Sequence, residues 1–140
     1  MVKSKSKLKA NVEIPRNLDQ FPEPHEISAA WVLADYFDTE VVFLRCRTGY
    51  RQHSADVEIS GAEWEIKSPK SDNLKKVKEN LADAAHQAKY ATIDLRRTSI
   101  PDDTLIEFLT KLSKTKRTIK WVLAIVKTGE VVEIYKKSRL

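Results

Sequence analysis

Apolar residues recur along this chain with two periods, and each period predicts a different kind of element. Apolar positions spaced by three and four residues predict helices over 24–37, 73–90 and 102–113. Runs that are rich in β-branched and aromatic residues, or that alternate polar with apolar, predict strands over 41–45, 56–59, 63–67, 91–95, 121–126 and 131–135. The order α, β, ββ, α, β, α, ββ predicts an α/β (α+β) fold, with one central mixed sheet flanked by helices.

The first 20 residues follow neither period. Lysines occupy alternate positions from Lys3 to Lys9, and no apolar stretch follows them, so the segment does not resemble a signal peptide. We therefore expect residues 1–20 to form a flexible basic arm. Residues 21–140 have the length of one ordinary domain, and we expect a single domain there.

Charge and cysteine content limit which partners we expect this chain to bind and which cellular compartment suits it. Charged residues make up 32% of the chain and the net charge is +5, so its field attracts nucleic acid, anionic membrane or an acidic protein. No apolar run approaches the roughly 20 residues that a membrane-spanning helix needs, and we expect no membrane partner. Cys46 is the only cysteine in the sequence, which excludes an internal disulfide and favours a reducing, cytoplasmic setting.

The hairpin formed by the second and third predicted strands carries two acidic residues and a lysine that we expect to lie close together. Side chains alternate between the two faces of a strand, so Glu65 and Lys67 share one face, and Trp64 and Ile66 share the other. If the two apolar side chains enter the core, Glu65 and Lys67 face an open cleft. Antiparallel pairing across the glycine turn brings Asp56 close to both.

These residue types suit phosphodiester hydrolysis. Two clustered carboxylates, Asp56 and Glu65, would repel each other unless a cation such as Mg²⁺ or Mn²⁺ bound between them. Such a cation can bind a scissile phosphate and acidify water. The ammonium of Lys67 would stabilise negative charge in the transition state. The alternative interpretation is that these charges are the solvated face of an edge hairpin.

A family resemblance extends beyond these residues. Segment 56–69, DVEISGAEWEIKSP, resembles the core motif of PD-(D/E)XK nucleases, which have a restriction-endonuclease-like core. More narrowly, the chain resembles the C-terminal tRNase toxin domains of bacterial contact-dependent growth inhibition proteins. In that family an acidic helix precedes the motif, here with Glu26. A helix with Ala and Gln and a short strand follow, here AAHQAKY (84–90) and TIDLR (92–96). The resemblance covers residues 22–96.

The resemblance implies a role for each matching residue. Asp56, Glu65 and Glu26 would bind the metal, Glu26 directly or through water. Lys67 would act beside the attacking water. Gln87 would face the cleft and contact substrate or orient water. Two of these residues have a second interpretation, since Glu26 suits the start of a helix and Gln87 suits a solvated helix position.

Further residues are candidates for substrate binding. On the resemblance, Ser68 would contact a phosphate. Tyr50, in a loop before the motif, would stack on a base. Basic side chains flank the predicted cleft and would position phosphates without reading sequence; these are Lys70, Lys75, Lys76, Lys78, Arg96 and Arg97. For the lysines, the alternative is an ordinary solvated helix face.

Together, the residues and the resemblance predict a metal-dependent endonuclease that hydrolyses structured RNA, with tRNA preferred. The resemblance implies a toxin effector domain that acts in the cytoplasm of a target cell after delivery. It also implies an immunity protein, and an acidic one would suit a basic cleft. Two alternatives stay open: a DNA endonuclease or junction resolvase of the same superfamily, and a basic nucleic-acid-binding module without catalysis. The sequence leaves open the oligomeric state, the tRNA and the cleavage position.

Overall fold

In the computed structural model, which describes residues 10–18, 20–44 and 55–137, seven strands form one sheet and three helices pack against it. The strands are β1 (Asn11–Glu13), β2 (Glu40–Phe43), β3 (Val57–Ile59), β4 (Ala62–Lys67), β5 (Tyr90–Asp94), β6 (Trp121–Ile125) and β7 (Val131–Lys136). The helices are α1 (Pro24–Phe37), α2 (Leu74–Gln87) and α3 (Asp102–Ser113). Every predicted helix and strand is present, so the predicted fold class is confirmed.

The strands lie side by side in the order of the chain. β1 is parallel to β2, and β4, β5 and β6 are parallel to one another, whereas the pairs β2–β3, β3–β4 and β6–β7 are antiparallel. The sheet is therefore mixed, as predicted. Because β4, β5 and β6 run in the same direction, their carboxyl ends meet at one edge of the sheet.

The two faces of the sheet bury different helices. Trp64 and Ile66 of β4 pack with α1 in one apolar cluster, as predicted. The other cluster contains the buried faces of α2 and α3, together with Ala91 and Ile93 of β5. Successive residues of β4 point to opposite faces, so Glu65 lies on the side of α2. No helix in the described ranges is long and apolar enough to cross a membrane.

The N-terminal segment differs from the prediction. Residues 11–13 form β1, an edge strand beside β2, and Val12, Ile14 and Leu18 pack against the α1 cluster. The predicted flexible arm over 1–20 is therefore wrong for residues 10–18, while residues 1–9 lie outside the described part. Three strand residues are too few to show a period, and their place beside β2 depends on the return of the chain through α1.

The predicted hairpin is confirmed as β3 and β4. Its two-residue turn consists of Ser60 (φ 50°) and Gly61 (φ 83°), and two positive φ values identify a type I′ turn. Ile59 is paired with Ala62 across the turn, and Val57 with Trp64. This register brings the start of β3 next to the end of β4, where the polar residues lie.

Candidate active site

Asp56 marks the point where the β3–β4 ladder ends. Its backbone N–H donates to the carbonyl of Trp64 (3.1 Å), and its carbonyl accepts from Leu44 (2.9 Å). The next N–H of the ladder, that of Ile66, donates to the Asp56 carboxylate, Oδ2, at 2.8 Å. This bond fixes the carboxylate beside Glu65, so the predicted proximity of Asp56 to the end of β4 is confirmed.

Glu65 is buried, and the expectation that it faces an open cleft is wrong. The residue is 3% exposed. In the amide orientation that satisfies both groups, the Gln87 nitrogen donates to both carboxylate oxygens of Glu65 at 3.0 Å. Lys67 Nζ lies 3.4 Å from Glu65 Oε2. The cause of the burial is α2, whose last turn carries Gln87 over this face of β4.

Lys67 and Glu65 share a strand face, as predicted, but their exposure differs. The Lys67 side chain is 23% exposed, compared with 4% for that of Glu65. Lys67 is also the last residue of β4. Its ammonium therefore lies between the buried carboxylate and solvent, at the carboxyl edge of the parallel strands. That edge is where open α/β sheets bind ligands.

Glu26 lies near the same edge, in the first turn of α1. Its Oε1 accepts from the backbone N–H of Glu23 at 2.7 Å, which is the helix-start role given as its alternative interpretation. Glu26 and Asp56 also line one cavity of about 230 Å³, together with Phe43 and Leu44. Both interpretations of Glu26 are therefore compatible with its position.

The carboxylates of the site repel one another, and burial makes their charged forms less favourable. Burial, and then the negative charge of Asp56, raise the pKa of Glu65 to about 8, although Lys67 opposes the shift. Burial also raises the pKa of Asp56; the charge of Glu26 adds to this effect and the N–H of Ile66 opposes it. A positive charge bound among the three carboxylates would relieve the conflict.

The donor set fits a hard divalent cation. Carboxylate oxygens are preferred ligands of Mg²⁺, which binds proteins through as few as one or two carboxylates and keeps several waters. Asp56 and Glu65 supply such oxygens, and Glu26 lines the adjoining cavity. Among the described residues, no three His, Cys, Asp or Glu side chains are grouped closely enough to hold a metal ion. The Glu65 carboxylate contacts Gln87 and Lys67.

The predicted substrate-binding residues are distributed unevenly. Ser68 directly follows Lys67, but its Oγ is buried and has no hydrogen-bond partner in the described structure. Lys70 and Lys75 are exposed, Lys75 in the first turn of α2, whose start is capped by Asn73. Tyr50 lies outside the described residues.

Arg96 has a partner that the sequence analysis missed. Its Nε and Nη2 donate to the two oxygens of Asp94, each at 2.9 Å, and the Asp94 side chain is 1% exposed. This pairing raises the pKa of Arg96. The sequence did indicate this pair, because an acidic and a basic residue stand two positions apart at the end of a predicted strand.

Comparison with known proteins agrees with this architecture. The structure of a CdiA-CT/CdiI toxin and immunity complex from Burkholderia pseudomallei is similar, with a TM-score of 0.58 and 16% identity over 86% of this chain and 97% of that chain. At that identity the likeness shows a shared fold. No curated protein gives a significant match.

A match to a protein-family model gives evidence of family membership, which the structural similarity alone does not. The model of the contact-dependent growth inhibition CdiA C-terminal domain matches residues 53–131. The match includes Asp56, Glu65, Lys67 and Gln87. Since it spans more than half of the 140 residues, this chain belongs to the contact-dependent growth inhibition CdiA C-terminal domain family.

Proposed function

We propose that this toxin domain is a metal-dependent endonuclease that hydrolyses phosphodiester bonds of structured RNA, with tRNA as the preferred substrate. The observation that carries the proposal is the group formed by Asp56, Glu65 and Lys67 at the carboxyl edge of the sheet. Buried carboxylates whose pKa values are raised, beside a specific charged partner, identify candidate functional sites. The preference for tRNA rests on the family resemblance.

Asp56 and Glu65, with Glu26, would hold Mg²⁺ or Mn²⁺. The cation, when bound, supplies a Lewis acid for the scissile phosphate and lowers the pKa of water. Asp56 is already oriented for this task by the N–H of Ile66. That bond involves one of its two carboxylate oxygens, Oδ2.

Lys67 would act on the phosphate itself. Its ammonium lies at the boundary between the buried Glu65 and solvent, where a phosphodiester can approach. Negative charge on the phosphate oxygens grows as water attacks, and a cation fixed nearby stabilises that charge. Because Glu65 fixes the ammonium before substrate arrives, little reorganisation is needed during the reaction.

Gln87 would orient Glu65 rather than contact substrate. Its amide nitrogen donates to both carboxylate oxygens of Glu65, so it restricts the rotation of that carboxylate. Groups that hydrogen-bond a metal ligand in this way orient the ligand and tune its affinity. We therefore propose that Gln87 positions Glu65, in place of the expected contact with substrate or water.

An acidic immunity protein is the partner we propose for this domain. The similar solved structure is a complex of a toxin with its immunity protein, and this chain carries a net charge of +5. Opposite charges accelerate association and make it sensitive to salt. Stopped-flow association with the cognate immunity protein should slow steeply between 50 mM and 500 mM NaCl; a rate independent of salt would contradict the electrostatic part.

One assay tests the nuclease. Purified protein is incubated with total tRNA and, separately, with supercoiled plasmid, in Mg²⁺, Mn²⁺ or EDTA. We expect tRNA cleavage in either metal and none in EDTA. Asp56→Asn should abolish cleavage, whereas Asp83→Asn, which neutralises an exposed carboxylate on α2, should leave it intact. Nicking of plasmid without tRNA cleavage would favour the DNA endonuclease, and cleavage of neither would favour the binding module.

A further inference from the structure

The loop that follows β5, residues 95–101, is fastened to the segment that follows β4. Thr98 Oγ1 donates to the carbonyl of Ser71 at 2.9 Å. The backbone N–H of Ser99 donates to Asp72 Oδ1 at 3.1 Å. Since the segment beginning at Ser68 continues directly from Lys67, these bonds fix the loop beside the candidate active site.

Lys127, just after β6, fastens the same loop from its other side. Its ammonium donates to the carbonyls of Leu95 (3.1 Å) and Ile100 (2.7 Å) and to Asp102 Oδ1 (3.2 Å). All three N–H donors of the ammonium are thereby used. Lys127 therefore serves the structure of the loop and has no donor left for a ligand.

The two arginines of this loop have different surroundings. Arg96 is committed to the buried carboxylate of Asp94 by two short hydrogen bonds. The half-buried Arg97 reaches back to the residue that follows β4, where its Nη1 donates to the carbonyl of Ser68 at 3.4 Å. No carboxylate in the described ranges forms an ion pair with Arg97. Among the residues that the structure describes, the bond to Ser68 is the one hydrogen bond of the Arg97 side chain, which carries five N–H donors.

We propose that Arg97 binds a backbone phosphate that flanks the scissile bond of the substrate. The inference rests on the proposed function, since it assumes a phosphodiester at Lys67. The contact with the Ser68 carbonyl places the guanidinium against the backbone of the residue that follows Lys67. A planar guanidinium binds phosphate with two parallel hydrogen bonds, and such contacts fix the register of the nucleic acid without reading bases.

The test compares single substitutions in an Asp56→Asn background, so that tRNA is bound without being cut. Affinity for total tRNA is measured by titration at several salt concentrations in Mg²⁺. Arg97→Gln should weaken binding by roughly tenfold or more, the scale for losing a charge-assisted hydrogen bond, and should reduce the slope of log affinity against log salt by about one. Lys111→Gln, which removes an exposed cation on α3, should change neither quantity.

Arg96→Gln is the variant that we expect to lower stability, in contrast to Arg97→Gln. It leaves the buried carboxylate of Asp94 without its partner, so we expect a lower melting temperature. Unchanged affinity for tRNA in Arg97→Gln would overturn the assignment. So would a loss of affinity in Arg96→Gln at an unchanged melting temperature. In the wild-type background, Arg97→Gln should raise the tRNA concentration needed for half-maximal cleavage. The wild type failing to cleave any nucleic acid would instead overturn the proposed function, and the binding titration would still decide the role of Arg97.

Discussion

At the scale of single residues, the burial of Glu65 matters most for chemistry. A carboxylate that is 3% exposed is costly to keep ionised unless it is paired and hydrogen-bonded. Gln87 and Lys67 supply those partners, yet burial and Asp56 still raise its pKa to about 8. The raised pKa favours the protonated form of Glu65 when no cation is bound, and a cation would compete with that proton for the same oxygens.

Glu65 should make the metal-free protein less stable as pH rises. Between its ordinary pKa of 4.5 and the folded-state pKa of about 8, the folded state binds more protons than the unfolded chain, so the free energy of unfolding falls with increasing pH. Glu65→Gln removes this contribution and should melt roughly 5 °C above the wild type at pH 8 in EDTA. Adding Mg²⁺ at pH 8 should raise the melting temperature of the wild type only.

The control for this prediction is Glu63→Gln, which neutralises an exposed glutamate on the same strand. Its melting temperature should follow pH as that of the wild type does. Melting curves from pH 5 to pH 8 measure the effect. If the melting temperatures of Glu65→Gln and the wild type changed with pH in the same way, the raised pKa of Glu65 would be contradicted.

Lys67→Met tests the catalytic ammonium, because it keeps most of the side-chain stem and deletes the charge. We expect the single-turnover rate at saturating tRNA to fall by roughly a hundredfold or more, the scale for losing a preorganised stabilising group. Binding should change little, since the interaction acts in the transition state. Lys111→Met, at an exposed lysine on α3, is the matched control. Normal cleavage at saturation combined with weak binding would make Lys67 a phosphate anchor instead.

At the scale of elements, the β3–β4 hairpin determines which residues meet. Its register pairs Val57 with Trp64, and a slip of one residue would move Glu65 to the opposite face of the sheet. The type I′ turn at Ser60 and Gly61 fixes this register. The stability of the turn is therefore linked to the assembly of the site.

Gly61→Ala should lower the free energy of unfolding by about 1 kcal/mol, the cost of placing a Cβ at positive φ. The φ of Gly61 is +83°, and an added Cβ would have no other atom within 4 Å, so the cost is conformational rather than steric. Ser60→Gly, at φ 50°, relieves the same kind of strain and should not destabilise the protein. Urea unfolding measures both; equal losses in the two variants would show that backbone strain is not the cause.

At the scale of the whole molecule, the sheet edge and the net charge act together. The edge where β4, β5 and β6 end carries Lys67 and the fastened loop with Arg97. The net charge of +5 adds a long-range attraction for any polyanion. Local geometry would set where substrate is cut, while total charge would set how strongly it is attracted.

Deletion of residues 1–9 separates these two contributions. It removes four of the 25 Lys and Arg residues and lowers the net charge from +5 to +1, while it leaves β1 intact because that strand begins at Asn11. We expect the slope of log affinity against log salt to become shallower by up to about three, with the cleavage site unchanged. Mapping of the cut tRNA ends is the measurement. A shifted cut would mean that residues 1–9 recognise a specific feature of the target.

The sequence by itself determined the three helices, six of the seven strands in the described ranges, the hairpin and the group at its open end. Periodicity of apolar residues is a local property, and it located every predicted helix and strand. The glycine turn and strand alternation were enough to bring Asp56 close to Glu65 and Lys67. The family motif is likewise a linear pattern, which is why the resemblance was visible before the fold.

Tertiary structure alone decided how these residues are surrounded. The burial of Glu65 follows from the last turn of α2, which brings Gln87 onto the carboxylate. The different roles of Arg96 and Arg97 follow from the neighbours that each guanidinium reaches, Asp94 for one and the segment after β4 for the other. Alternation along a strand assigns a side chain to a face, but only the packing of another element against that face decides whether the side chain meets solvent, a partner or a ligand.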